Sequence, residues 1–80
     1  MARYFLHLHE PKIVLTDVEG CESASVEEAI QLATASARDV MIGEIREGRL
    51  CLACYISIAD SAQAEVGRVR FRDAVTVSEG

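Results

Sequence analysis

The chain has no phosphate-binding loop, no constellation of nucleophile, base and orienting group, and no residues spaced as a recognisable metal cluster. Those absences close the motif-based routes to an enzymatic assignment. Positive charge is scarce as well: 8 Lys and Arg stand against 13 Asp and Glu, a formal net charge of −5. General affinity for DNA, RNA or an acidic membrane draws on surplus cations, so nucleic acid is disfavoured as a partner. No segment approaches the roughly 20 apolar residues of a membrane-spanning helix, and a membrane is not expected either. Lys12 is the single lysine; the other basic residues are Arg, whose planar fork suits bidentate contacts to carboxylate or phosphate. The cysteines, Cys21, Cys51 and Cys54, are odd in number, and the apolar run Tyr4-Phe5-Leu6 after Arg3 is broken at once by His7, His9 and Glu10. A secretory signal and a disulfide framework are therefore not indicated, and a reducing cytoplasm is the expected location.

What the chain does have is globular composition, 50% hydrophobic and 26% charged over 80 residues, which predicts one small domain spanning residues 1–80. Its strongest pattern runs from Ser25 to Gly48. Ser25 and Glu28 have the spacing of a capping box, in which each side chain satisfies the other's unpaired backbone donor. Val26, Ile30, Ala33, Ala37 and Met41 follow as an apolar stripe, widened by Ala29, Val40 and Ile45, and Gly48 supplies the left-handed residue that closes many helices. Glu44 falls close to that stripe and is expected to reach water at its rim.

Alternating segments flank the helix. Arg3 to His9 reads as a first strand, with Tyr4, Leu6 and Leu8 on one face and Phe5, His7 and His9 on the other. Glu10-Pro11-Lys12 breaks it, Ile13 to Val18 forms a second strand, and Glu19-Gly20 ends that one before a linker. Leu50 to Ile58, apolar on both parities, suits a central strand. Glu65 to Val77 alternates again, setting Val69, Phe71, Val75 and Val77 opposite Arg68, Arg70 and Arg72. The predicted fold is α+β, in ββαββ order: two hairpins form a four-stranded sheet with one long helix packed on one face.

Arg3-Tyr4-Phe5-Leu6-His7-Leu8, Asp17-Val18-Glu19-Gly20, Ala37-Arg38, Ile45-Arg46-Glu47-Gly48 and Phe71-Arg72-Asp73-Ala74 stand in an order that spans nearly the whole chain. In these the chain resembles a group of small alphaproteobacterial proteins that open with R-Y-F-F-H-L and are catalogued only as a domain of unknown function. The resemblance implies the fold and a bacterial source and brings no activity. The chain departs from the pattern at two turns: His9-Glu10-Pro11 replaces an Asp-Gly turn, and Ser61-Ala62-Gln63-Ala64 replaces a turn containing Gly.

Several residue groups invite a chemical reading. Cys51-Leu52-Ala53-Cys54 is a C-x-x-C that could hold zinc or act as a redox pair, with Cys21, His7 and His9 as further ligands. An extended strand sends residues three apart to opposite faces, and no helix follows to lower a thiol pKa, so packing cysteines are the expectation. His7 and His9 share a face and read as part of a half-exposed polar surface. Asp17, Glu19 and Glu22 make an acidic turn, expected to be a solvated loop.

The remaining candidate is a surface. With the helix over Tyr4, Leu6, Leu52, Ile56, Val69 and Phe71, the opposite sheet face carries Phe5, His7, Tyr55, Arg68, Arg70 and Arg72. That mix of rings and cations suits protein contact, with a second copy or another protein. It is also the kind of sheet face on which single-stranded nucleic acid stacks, which makes an anionic ligand on the Arg row the first alternative and zinc or redox chemistry at the C-x-x-C the second. The reading is thus a non-enzymatic interaction or regulatory module that self-associates through its open sheet face. No catalytic residue, cofactor or metal is assigned.

Overall fold

The computed structural model describes residues 1–79. Its elements run β1 (Ala2–His9), β2 (Val14–Leu15), β3 (Cys21–Ser23), α1 (Val26–Arg46), β4 (Tyr55–Ala59), β5 (Glu65–Arg70) and a single helical turn, α2 (Phe71–Ala74). The sheet has the order β2-β1-β4-β5, and β3 pairs with β1 beyond β2 along the same edge. All pairings are antiparallel. β1 is therefore the central strand, because the two hairpins meet through its ladder from Phe5↔Ala59 to His9↔Tyr55. The α+β class and ββαββ layout expected from the sequence hold, with β3 and α2 added.

Helix α1 begins where the capping residues place it. Ser25 is extended, at φ −157° and ψ 166°, and its Oγ accepts the Glu28 backbone N–H at 3.2 Å. At the other end Gly48 takes φ +84°, Gly48 N donates to Ile45 O and Arg49 N to Glu44 O, both at 3.0 Å. These are the two backbone bonds of a Schellman stop. The buried stripe is rotated from the expected one: Ala29, Ala33, Ala37 and Met41 are fully covered, Val26, Ile30 and Val40 partly, and Ile45 is exposed. Alanines facing the sheet let the helix backbone approach it closely, while the larger residues wedge at the sides. Glu44 continues the buried row at 8% exposure, not at the rim as expected, and its Oε1 accepts from Cys51 N at 3.5 Å.

The core between helix and sheet holds Tyr4, Ile56, Ile58, Val69, Phe71 and Cys54, with Leu6 and Leu8 packed against it. Burial of this kind contributes about 25 cal/mol per Å² of apolar surface and is the main favourable contribution to folding.

Three expected strands are shorter than their patterns. The second shrinks to Val14–Leu15, leaving Val18 exposed, because Asp17 turns the chain away from the ladder. The third starts at Tyr55, since Cys51–Cys54 forms a bend, and Leu52 is half-buried there and not on the sheet. The last ends at Arg70: Phe71 N donates to Cys54 O at 3.0 Å, which pulls the chain into α2 and keeps the Phe71 ring in the core without a further strand residue. Val75 and Val77 consequently lie beyond the sheet.

Both unusual turns have a physical solution. Glu10 and Ile13 exchange backbone hydrogen bonds of 2.9 and 3.4 Å around Pro11-Lys12. In the second hairpin Gln63 takes φ +64°, and the Asp60 carboxylate accepts Ala62 N and Ala64 N at 2.9 and 3.0 Å, holding the turn that a glycine would otherwise relax.

Candidate functional site on the open sheet face

The pleat sends alternate residues to the face that α1 leaves open. β1 contributes Phe5, His7 and His9 there, β4 contributes Tyr55, Ser57 and Ala59, and β5 contributes Arg68 and Arg70. Two cross-strand rows result, His9–Tyr55–Arg70 and His7–Ser57–Arg68. The hairpin residues Val14 and Thr16 raise one wall, Gln63 and Glu65 the other, and together they enclose a dish of about 310 Å³.

The floor is tightly organised. The His9 ring stacks on Tyr55 with centroids 4.4 Å apart and planes within 10°, and the Arg68 guanidinium lies 4.2 Å from the same ring's centroid. Tyr55 is thus clamped by two flat groups, one aromatic and one cationic. His9 Nε2 lies 2.8 Å from Ser57 Oγ. Burial holds His9 below its ordinary pKa, and the charges of Arg68 and His7 add to that while Glu65 opposes it. His7 is fixed from the other side, because its Nδ1 accepts the Asp17 backbone N–H at 3.0 Å. A backbone amide can only donate, so the neutral ring carries its hydrogen on Nε2.

Asp17 is the residue that closes this edge. Its Oδ2 accepts Leu6 N at 3.1 Å, and its Oδ1 accepts Glu19 N at 3.2 Å and Gly20 N at 3.0 Å. Leu6 lies between the stretches of β1 that pair with β2 and with β3, so the carboxylate stands in for the missing strand. Burial pushes the Asp17 carboxyl up, but the backbone donors of Gly20, Leu6 and Glu19, with His7, outweigh it and hold the pKa below its ordinary value. Asp17 is therefore built into the sheet edge, not part of a solvated acidic loop.

Of the six surface residues expected from the sequence, His7, Tyr55 and Arg68 line the dish. Phe5 shares their face and stacks on His7 at 6.5 Å. Arg70 stands on the open face at the sheet edge, where its Nε donates to Asp73 at 2.9 Å. Arg72 lies on α2, outside the sheet, so the row of three arginines does not form. Arg68 is itself engaged: Nε and a terminal nitrogen donate to both Glu65 oxygens at 3.2 Å. The contributions of Ser57, Val14, Thr16, Gln63 and Glu65 went unforeseen. Alternation with Tyr55 marks Ser57, but the rest arrive through turns that carry no periodicity.

The C-x-x-C is arranged contrary to expectation. With Cys51–Cys54 in a bend, Cys54 Sγ donates to Cys51 Sγ at 2.8 Å, so the thiols meet. Cys54 is nevertheless a core residue at 1% exposure. Among the described residues no group of three or more His, Cys, Asp and Glu is placed to hold a metal ion.

A family model described as a domain of unknown function, DUF6894, matches residues 3–72, which takes in α1 and nearly all of the sheet. The chain belongs to the DUF6894 family. Among curated proteins and among solved structures nothing matches. Membership in DUF6894 agrees with the domain of unknown function implied by the sequence motifs and assigns no chemistry to the dish. No helix among the described residues is long and apolar enough to cross a membrane.

Proposed function

We propose that this DUF6894 protein is a non-enzymatic interaction module of the bacterial cytoplasm that self-associates through its open sheet face. The observation that supports the reading is the dish itself, a concavity of about 310 Å³ on an uncovered face, floored by the His9–Tyr55–Arg68 stack. Tyr and Arg are favoured at protein interfaces because they bring contact area with a polar end, and here their rotamers are already held by stacking, which reduces the ordering cost of association. Val14 is half-exposed on the wall, an apolar group that a partner would cover.

A protein partner suits the charge better than an anionic polymer does. Both sheet arginines on this face are already paired, Arg68 with Glu65 and Arg70 with Asp73, within a chain of net charge −5. Phosphate binding would have to displace those carboxylates, with a salt-dependent gain shared by few free cations. The experiment is light scattering with native mass spectrometry on the untagged protein across a concentration series. A dimer that dissociates on dilution is the expected result; a monomer at every concentration overturns self-association, and a monomer carrying co-purified nucleic acid would move the function to the arginines.

A further inference from the structure

The bend between α1 and β4 holds its two cysteines from both ends. Cys51 N donates to the buried Glu44 side chain in the last turn of α1 at 3.5 Å, and Cys54 O accepts from Phe71 N at 3.0 Å. Between these anchors the sulfurs sit 2.8 Å apart. A disulfide requires about 2.0 Å, so less than about 1 Å of approach closes the bond without moving either anchor far. Cys51 is half-buried and reachable from solvent, whereas Cys54 is enclosed. Cys21 lies on β3 and makes no contact of this kind among the described residues.

We propose that Cys51 and Cys54 are a site of reversible oxidation, a dithiol that a low-molecular-weight disulfide such as oxidised glutathione converts to an intramolecular disulfide. The order of events follows from access and acidity. Burial pushes the Cys54 thiol up to about 12, helped by the hydrogen bond and charge of Cys51 and by the Glu44 and Glu10 carboxylates, so Cys54 does not attack first. Cys51 does: its thiolate attacks one sulfur of the glutathione disulfide, that S–S bond breaks, and one glutathione leaves as thiolate. Capture of Cys51 in the mixed disulfide removes its hydrogen bond and charge, two of the causes that raise Cys54, and leaves burial as the main one. Cys54 then loses its proton to solvent and attacks Cys51 Sγ, and the second glutathione departs. Two protein thiols are oxidised by two electrons and one small disulfide is reduced to two thiols. The product staples the connection that ends α1 and leads into β4, the strand that floors the dish.

The test is equilibration of the full chain in glutathione buffers of graded ratio, acid quenching, alkylation and peptide mass mapping after cleavage at arginine. The peptide from Leu50 to Arg68 should lose two hydrogens and accept no alkylating agent in oxidising buffer, recover both thiols on reduction, and leave Cys21 alkylated throughout. A C-x-x-C closes in an unfolded chain too, so the decisive comparison is with the same titration in strong urea. The fold should shift the oxidation midpoint toward the more reducing side by a factor of about 10 or more, equivalent to roughly 30 mV for this two-electron couple. Cys21→Ser should retain the behaviour and Cys51→Ser should abolish it. Full alkylation at every ratio, glutathione adducts without the internal bond, or a folded midpoint no more reducing than the unfolded one would overturn the proposal.

Discussion

The carboxylate of Asp17 accepts the backbone N–H of Leu6 at 3.1 Å, filling the gap in the central strand's edge between β2 and β3 with a side chain. The same group accepts Glu19 N and Gly20 N and thereby fixes the turn that delivers the Asp17 amide to His7. Removing it leaves a part-buried strand donor unpaired. Asp17→Ala is expected to cost on the order of 2 kcal/mol in urea unfolding at neutral pH, within the range for hydrogen bonds to a charged group. The folded pKa lies below the unfolded one, so the stabilisation is fully present above the unfolded value and is lost as pH falls through the folded value. The stability difference between wild type and Asp17→Ala should accordingly shrink in acid; a difference that stays constant down to strongly acidic pH would refute the role given to the carboxylate.

Gly20 and Gly43 predict opposite outcomes for the same substitution. Gly20 has φ +75°, and a Cβ there would lie 2.9 Å from the Tyr4 carbonyl oxygen and 3.0 Å from the Phe5 ring. Gly43 is an exposed position inside α1 with nothing within 4 Å of a built Cβ. Gly20→Ala should destabilise by more than the roughly 1–2 kcal/mol of left-handed strain alone. Gly43→Ala should stabilise by about 0.5–1 kcal/mol through helix propensity. Thermal melts of the pair decide both, and equal signs would contradict the structure.

His9 gives the open face its own pH dependence. Burial and the Arg68 charge hold its folded pKa below the unfolded value of 6.5. The unfolded chain therefore binds the proton more readily, and this contribution to stability, complete above pH 6.5, declines as pH falls from there through the folded pKa. NMR titration of the ring should show the depressed midpoint, and Tyr55→Ala, which uncovers the ring, should return it toward 6.5. An unshifted midpoint in the wild type would mean the stack does not form in solution.

Much of this architecture is legible in the sequence because local chemistry and burial agree there. Ser25, Glu28 and Gly48 mark the ends of α1, and strict alternation assigns the two faces of β1. Where the reading failed, a tertiary bond competes with the local pattern. Ile13 to Val18 alternates like a strand, but Asp17 finds better partners at the edge of β1 than in a longer ladder. Leu50 to Ile58 is apolar on both parities because half of it is a bend packed against α1, not a doubly buried strand. Phe71 keeps the strand's parity only because the chain coils beneath the core. The open face was legible through alternation in β1 and β4, whereas its arginine row was not: Arg68 and Arg70 stay on the face, but Arg72 is carried off the sheet by α2, which begins without a side-chain cap and leaves no periodic trace.

The two faces of β5 should respond differently to charge. Val69 is buried beneath α1, so Val69→Asp places an unpaired carboxylate in the core, at a cost of about 3 kcal/mol or more, comparable to the stability of a domain of this size. Arg70→Glu removes an exposed ion pair with Asp73 worth roughly 0.2–1 kcal/mol and should leave the fold intact while weakening self-association. Circular dichroism of both variants, with light scattering on the folded one, checks the assignment; unfolding by Arg70→Glu would show the faces reversed.

The most direct measurement is a dilution series followed by two-dimensional NMR of the uniformly labelled protein, because it reports where copies touch as well as whether they do. Exposed apolar residues also stand on the outer side of α1, at Leu32, Ile42 and Ile45, and they offer a competing surface within the same experiment. Concentration-dependent shifts confined to the open face, at His7, His9, Val14, Tyr55, Ser57, Arg68 and Arg70, are the predicted result. Shifts at Leu32, Ile42 and Ile45 with a silent open face, or spectra that do not change with concentration at all, would contradict the account.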